Sequence, residues 1–330
     1  MTKQEQKYTN PFTATYKGIS DLFKKQERIG TLDPKDRLDG KKVLITGSSS
    51  GLGLAAAKDL ASLGAEVIMA VRSGIPEKGE EVKNASGSEN VSMLYVDLSD
   101  FDSIKALVSA VKKQYGKINI LICNAAVVSK QARKTKYGIE EMFSVNYLAK
   151  FVLVNLMLKE KLFDNGSKEL PRIIFVSSES HRNPEAFEWD TFGQFQDYGM
   201  SKSVERYGYY KLLMTTFAQE LGRRLNQNGK VKYSVFALCP GPVNSNIARE
   251  APAIFQPLMK LVFKVFFRSP EKAAEPLVYL AASTEVEGKS TDYLFLMSRK
   301  AVDKKASIPK NGAKLWQLTE QLLADKGIIY

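Results

Sequence analysis

The sequence predicts an α/β protein: a doubly wound parallel sheet of about seven strands with helices on both faces. Three observations predict it. From Lys41 onward short, predominantly apolar runs alternate with helical stretches, several of the runs are continuously apolar, and the periodicity switches repeatedly between the two kinds of segment. Strands this apolar are buried on both faces, as in parallel sheets covered by crossover helices. Right-handed crossovers then wind the chain outward in both directions from its first strand.

The elements follow in order. The β-branched and apolar run Val43-Leu44-Ile45 is a strand, and the Ala-rich stretch Leu52 to Leu63 a helix. Val67-Ile68-Met69 is the next strand, Glu77 to Lys83 a polar helix, Val91 to Val96 a strand and Ile104 to Tyr115 a helix. Ile118 to Ile122 is a strand, Ile139 to Lys161 a long helical stretch and Ile173 to Val176 a strand. Tyr207 to Leu225 is an amphipathic helix and Val231 to Leu238 a strand. Residues 1–39 form an extension, helical around Ile19 to Arg28, while 40–330 read as one domain with no composition break and no internal repeat.

Near the far end, Phe255 to Arg268 is densely apolar, with Pro257 suited to a first helical turn. Lys260, Lys264 and Arg268 recur every four residues and make one cationic stripe. The segment 243–268 fits a lid over an apolar substrate best, with peripheral contact of 254–268 with an anionic membrane surface as the second reading and plain core as the third.

The formal charge of +12 suits nucleic acid, anionic lipid or a phosphate-rich small ligand. The lysines are scattered without interleaved aromatics, which argues against a nucleic-acid module. Cys123 and Cys239 are the two cysteines, with neither disulfide-framework nor CxxC spacing, so a reducing, cytoplasmic setting is expected, whether free or peripheral on a membrane. The single histidine, His181, excludes multi-histidine metal sites and disfavours a Ser-His-Asp hydrolase, so no metal is expected. No run approaches the roughly 18 apolar residues of a membrane span.

The strand Val43-Leu44-Ile45 runs into Thr46-Gly47-Ser48-Ser49-Ser50-Gly51-Leu52-Gly53 and then directly into a helix. Glycines allow a tight turn and close approach to a pyrophosphate, while the helix N-terminus offers unpaired N–H groups. This strand, turn and helix context is what a Rossmann-type dinucleotide site requires. Such sites usually carry an acidic residue after the second strand to take the adenosine ribose hydroxyls. Here Val67-Ile68-Met69-Ala70 ends in Val71-Arg72-Ser73, and a guanidinium at that place favours the 2′-phosphate of NADP over NAD.

The spacing Thr-Gly-x-x-x-Gly-x-Gly resembles that of the short-chain dehydrogenase/reductase family, and further motifs follow in its order. Asp97-Leu98 follows the third strand, Cys123-Asn124-Ala125-Ala126 resembles Asn-Asn-Ala-Gly, Asn146 sits in Val-Asn-Tyr, and Ser177-Ser178 ends a strand. A Tyr-x-x-x-Lys motif and Pro240-Gly241-Pro242-Val243 complete the set. The resemblance covers roughly residues 40 to 325. With the helix around Trp316, it is most similar to the retinol-dehydrogenase-like branch.

That resemblance implies an NADP-dependent oxidoreductase acting on a carbonyl or alcohol of an apolar, retinoid-, steroid- or lipid-like substrate. It places Gly47, Ser49, Ser50, Gly51, Leu52, Gly53, Arg72, Asp97, Asn124, Tyr207, Lys211, Pro240, Gly241 and Val243 against the cofactor. It makes the tyrosine the acid/base, the lysine the group that lowers its pKa, Ser178 the holder of the substrate oxygen and Asn146 a member of the proton relay. Two Tyr-x-x-x-Lys matches compete, Tyr198 to Lys202 and Tyr207 to Lys211. Lys211 opens one amphipathic helix through Leu212, Leu213, Phe217, Leu221 and Leu225, whereas Lys202 would lengthen it by nine residues. That favours the second pair, with Tyr198 and Lys202 as the alternative.

Tyr210 stands where the family has serine, and Cys123 and Ala126 replace its first Asn and its Gly. Ser177 and Ser180 are read as local hydrogen-bonding residues, and Cys123 as a small buried one. Phe187, Trp189, Phe192 and Phe195 suit a greasy substrate. A non-catalytic dinucleotide-binding sensor or scaffold on the same fold is the alternative function, disfavoured because Asn146, Ser178, Tyr207 and Lys211 are all present. Association with further copies of the chain is compatible with the pattern.

Overall fold

The structure, a computed structural model, describes residues 29–164, 166, 169–243 and 268–330. The helix expected around Ile19 to Arg28, and the cover or membrane segment with Lys260 and Lys264, lie outside the described residues; Arg268 is within them.

Parallel strands β1 (Lys42–Thr46), β2 (Glu66–Val71), β3 (Val91–Tyr95), β4 (Ile120–Cys123), β5 (Arg172–Val176), β6 (Ser234–Cys239) and β7 (Tyr293–Phe295) pair in the order β3-β2-β1-β4-β5-β6-β7. The two-residue β8 (Ser298–Arg299) adds an antiparallel edge, one strand more than the periodicity predicts. Order reverses between β1 and β4, and a doubly wound sheet opens its ligand crevice at the strands' carboxyl ends there.

The central strands bury both faces because helices cover both, while the edge strand β3 is only partly buried and ends in the exposed Tyr95. On one side lie α1 (Gly51–Ser62), α2 (Glu77–Ser86) and α6 (Pro270–Ala282). Ala56, Ala57 and Ala61 of α1 are buried in the same cluster as Ala273, Ala274 and Ala281 of α6, small side chains that permit close helix approach. On the other side lie α3 (Phe101–Tyr115), α4 (Glu141–Lys159), α5 (Met200–Leu225) and α7 (Pro309–Asp325). There Trp316 of α7 packs on Phe151 of α4 at 4.9 Å and Phe217 of α5 at 5.6 Å. Buried Arg172 opens β5 by donating to Leu280 O and Ala281 O, unpaired carbonyls at the end of α6, and pairs with Glu287 at 3.0 Å.

Three details depart from the sequence reading. Helix α4 is long and apolar enough to cross a membrane, contrary to expectation, but it is 83% buried within the fold, as the core helix of a globular domain is. It is also broken by a π turn over Ser144–Leu148. Helix α5 begins at Met200, seven residues before Tyr207, so helix length does not decide between the two Tyr-x-x-x-Lys motifs.

Candidate active site

The loop from β1 into α1 turns on Gly47, at φ 68°, and a Cβ there would come within 2.7 Å of Ala125 Cα. A Cβ on Gly53 would meet Asn124 Nδ2 and Gly47 O, each at 2.5 Å. Only glycine allows this packing of α1 against the β4 loop. Ser50 enters α1 in extended conformation and makes no side-chain cap, which keeps the first-turn N–H groups available to an anion. The loop therefore fits a dinucleotide pyrophosphate. Asn124, expected to face the cofactor, donates its amide to Thr46 O at 2.9 Å and Gly47 O at 3.0 Å, holding the glycine loop to β4.

Arg72 is exposed immediately after β2, and in the following turn a Cβ on Gly74 would lie 3.8 Å from Ser49 Cβ. Arg72 thus opens a turn that runs close to the glycine loop. Asp97, past β3, accepts from Ser99 N and Ser99 Oγ at 2.8 and 2.7 Å. Pro240 and Gly241 follow β6; Gly241 has φ 79°, and a Cβ there would strike Leu296 Cδ2 at 2.6 Å. Val243 bridges to Arg268, whose N–H donates to Pro242 O at 2.9 Å.

β5, α4 and α5 carry the chemistry. Strand alternation separates Ser177, bonded to Thr215 Oγ1 of α5 at 2.7 Å, from Ser178, as expected. Ser178 Oγ accepts from Ser180 N at 3.2 Å and from Ser180 Oγ at 2.9 Å. These two contacts fix the orientation of the Ser178 hydroxyl.

Lys211 is buried, donates to Val176 O at 2.7 Å, and holds Nζ 5.4 Å from the centre of the Tyr207 ring. Burial brings its ammonium down to about 7, and the Lys150 cation pushes the same way. Desolvation lifts the Tyr207 phenol well above its ordinary value, opposed by the adjoining Ser178 hydroxyl. The alternative pair is differently placed: Lys202 is exposed, and the buried Tyr198 donates to Glu140 Oε1 at 2.8 Å. Glu140 in turn caps α4 by accepting from Met142 N and Phe143 N.

Asn146 lies in the π turn with both amide atoms occupied, Oδ1 accepting from Val127 N and Nδ2 donating to Val127 O, each at 2.9 Å. One turn later Lys150, absent from the sequence expectations, is 2% exposed and donates to Ala125 O and Val145 O at 2.8 and 2.9 Å. Its burial lowers its pKa to about 8. A lone lysine within the apolar run Ala149–Leu158 was the available signal. Cys123 is fully buried with its thiol pushed up to about 12, an inert packing residue. The loop aromatics pack together: Phe187 stacks on Trp189 at 4.3 Å, Phe192 meets Phe143 edge-on at 5.5 Å, and Lys134 sits over Phe195.

His181 is fully buried in the short 3₁₀ turn after Ser178, and burial holds its imidazole near 4, below the ordinary 6.5. The unfolded chain therefore binds a proton more readily across that window, and stability falls as pH drops from 6.5 to 4, by about 3 kcal/mol for this group. Urea midpoints measured across that range should fall more steeply for the wild type than for His181→Asn. Parallel profiles would assign the acid loss to carboxylates alone.

The family model for short chain dehydrogenases matches residues 41–253. Human retinol dehydrogenase 14 is 33% identical over 303 residues, 87% of each chain. Human polyprenol dehydrogenase is 31% identical over 255 residues, 76% of each. A crystal structure of an uncharacterized Mycobacterium paratuberculosis protein superposes with a TM-score of 0.67 at 26% identity, covering 87% of this chain and 95% of that one. Glycine loop, strand order and these matches agree: the chain belongs to the short-chain dehydrogenase/reductase family, on its retinol-dehydrogenase-like branch, and is an NAD(P)-dependent oxidoreductase of alcohols and carbonyls.

Proposed function

We propose that the chain works with NADP(H) on the carbonyl or alcohol of an apolar substrate, with Tyr207 as acid/base, Lys211 as its electrostatic partner, Ser178 holding the substrate oxygen and Asn146 in the proton relay. The observation that carries this reading is the buried Lys211, whose Nζ lies 5.4 Å from the centre of the Tyr207 ring and is bonded to Val176 O, two residues before Ser178. When bound, the nicotinamide supplies or takes the hydride. Ser178 donates to the substrate oxygen and Tyr207 gives it a proton as negative charge develops there. The positive form of Lys211, with Nζ 5.4 Å from the centre of the Tyr207 ring, stabilises the phenolate left behind. Both amide atoms of Asn146 are held by Val127, which fixes the π turn at this point.

Retinol and polyprenol, named in the two curated relatives, are both apolar isoprenoid alcohols, which supports a substrate of that class. The loop 187–195, which follows Ser178 in sequence, carries four half-buried aromatic rings, which supports it too. The test is a panel of all-trans-retinal, a polyprenal, a ketosteroid and a small water-soluble ketone, followed by NADPH oxidation. The expected kcat/KM for the best apolar member exceeds that of the small ketone by about a hundredfold or more, the gain from burying several methylenes. Preference for the small ketone overturns the substrate assignment. Cofactor binding without turnover on any member would favour the sensor reading.

A further inference from the structure

We propose that His181 is a positioning residue: its imidazole fixes the main chain immediately after Ser178 and ties it to the segment that follows β8. The proposal rests on the reading of Ser178 as the residue that holds the substrate oxygen.

Both ring nitrogens are engaged. Asp303 N–H, which can only donate, lies 3.1 Å from Nε2, so Nε2 is the acceptor and Nδ1 carries the proton. Nδ1 lies 2.7 Å from Ser178 O, a carbonyl that also accepts from His181 N at 3.1 Å. Two donors on one carbonyl fix the Ser178–Glu179 peptide, and with it the turn that brings Ser180 N and Oγ onto Ser178 Oγ. The hydroxyl's orientation thus depends on a bond made by the ring.

The neighbours reinforce the clamp. Tyr293 of β7 donates its hydroxyl to Glu179 at 2.9 Å and packs its ring 5.2 Å from the imidazole. Lys300 and Arg182 both pair with Glu179, and Arg182 also donates to Ala301 O. The charged groups around the ring are therefore Arg182 and Glu179 on its own turn and Asp303 beyond β8. Glu179 is already neutralised by two cations, leaving the imidazole free to remain neutral. A rigid ring with a donor on one side and an acceptor on the other spans from Ser178 to Asp303. Asparagine reproduces only the Nδ1 side and glutamine only the Nε2 side.

The experiment compares His181→Phe, His181→Asn, His181→Gln, Ser178→Ala and the double variant His181→Phe/Ser178→Ala in the NADPH-dependent reduction of an apolar aldehyde, with NADPH affinity measured separately. His181→Phe should lower kcat about tenfold or more, the effect expected of a small misplacement of a positioned group, with NADPH affinity within about twofold of wild type. His181→Asn should recover most of the loss and His181→Gln little. If His181 acts through Ser178, the double variant should be no slower than Ser178→Ala alone. Losses that multiply in the double variant, or equal losses in the Asn and Phe variants, overturn the proposal. An inactive Ser178→Ala beside a fully active His181→Phe overturns it while sparing the reading of Ser178. Wild-type turnover in Ser178→Ala removes that reading, and the proposal with it.

Discussion

Tyr207→Phe is expected to reduce turnover about a thousandfold while leaving NADPH affinity nearly unchanged. General acid catalysis contributes about 10²–10⁴, and phenylalanine deletes the proton while keeping the ring that faces Lys211 Nζ. Lys211 keeps its bond to Val176 O, so the packing of α5 on β5 should survive. The matched control is Tyr198→Phe, which removes a hydroxyl from Glu140 but leaves that carboxylate its two bonds to Met142 N and Phe143 N. A single hydrogen bond of this kind is worth about 1–2 kcal/mol of stability, so Tyr198→Phe should lower the melting temperature by a few degrees and turnover by less than about threefold. Steady-state kinetics with the same aldehyde for both variants decide the matter. The reverse ranking would move the acid/base role to Tyr198.

The reasons for favouring Tyr207 changed between sequence and structure. Helix length argued for Lys211, yet α5 extends back to Met200 and takes in Lys202. What separates the motifs is burial: Lys211 lies within the fold beside Tyr207, and Lys202 faces solvent. Spacing could not reveal this, because a four-residue interval puts two side chains on one helical face without saying which face is buried.

Strands and the glycine loop were legible because they are local patterns. Val43-Leu44-Ile45 followed by Thr46-Gly47 states strand and turn within a few residues. The π turn around Asn146, the burial of Lys150 and the two bonds on Ser178 Oγ are tertiary consequences, set by segments distant in sequence or by hydrogen-bond geometry that residue types do not encode. His181 illustrates the same limit: its polar neighbours Ser180 and Arg182 suggest an exposed loop, while its burial follows from Tyr293 and Asp303, more than a hundred residues later.

NADPH is expected to bind about ten- to a hundredfold more tightly than NADH, and Arg72→Asp to reverse the order. No acidic residue stands directly at the end of β2 to accept the adenosine ribose hydroxyls, and Arg72 stands exposed there on a turn whose Gly74 approaches Ser49 of the glycine loop. A charge-assisted contact between guanidinium and 2′-phosphate contributes about 1.5–3 kcal/mol, and each 1.4 kcal/mol is tenfold in affinity. Aspartate would repel the phosphate yet accept hydrogen bonds from the free ribose hydroxyls of NADH, so the substitution both removes an attraction and introduces a repulsion. Arg72→Ala separates the two effects: it should bring the affinities for the two cofactors together without inverting them. Because the Arg72 contact is electrostatic and solvent-accessible, the wild-type preference should also shrink as ionic strength rises. Calorimetric titration of both cofactors into wild type, Arg72→Ala and Arg72→Asp reads all of this directly. A preference for NADPH that survives Arg72→Asp would place the 2′-phosphate on other residues of the β2–α2 turn.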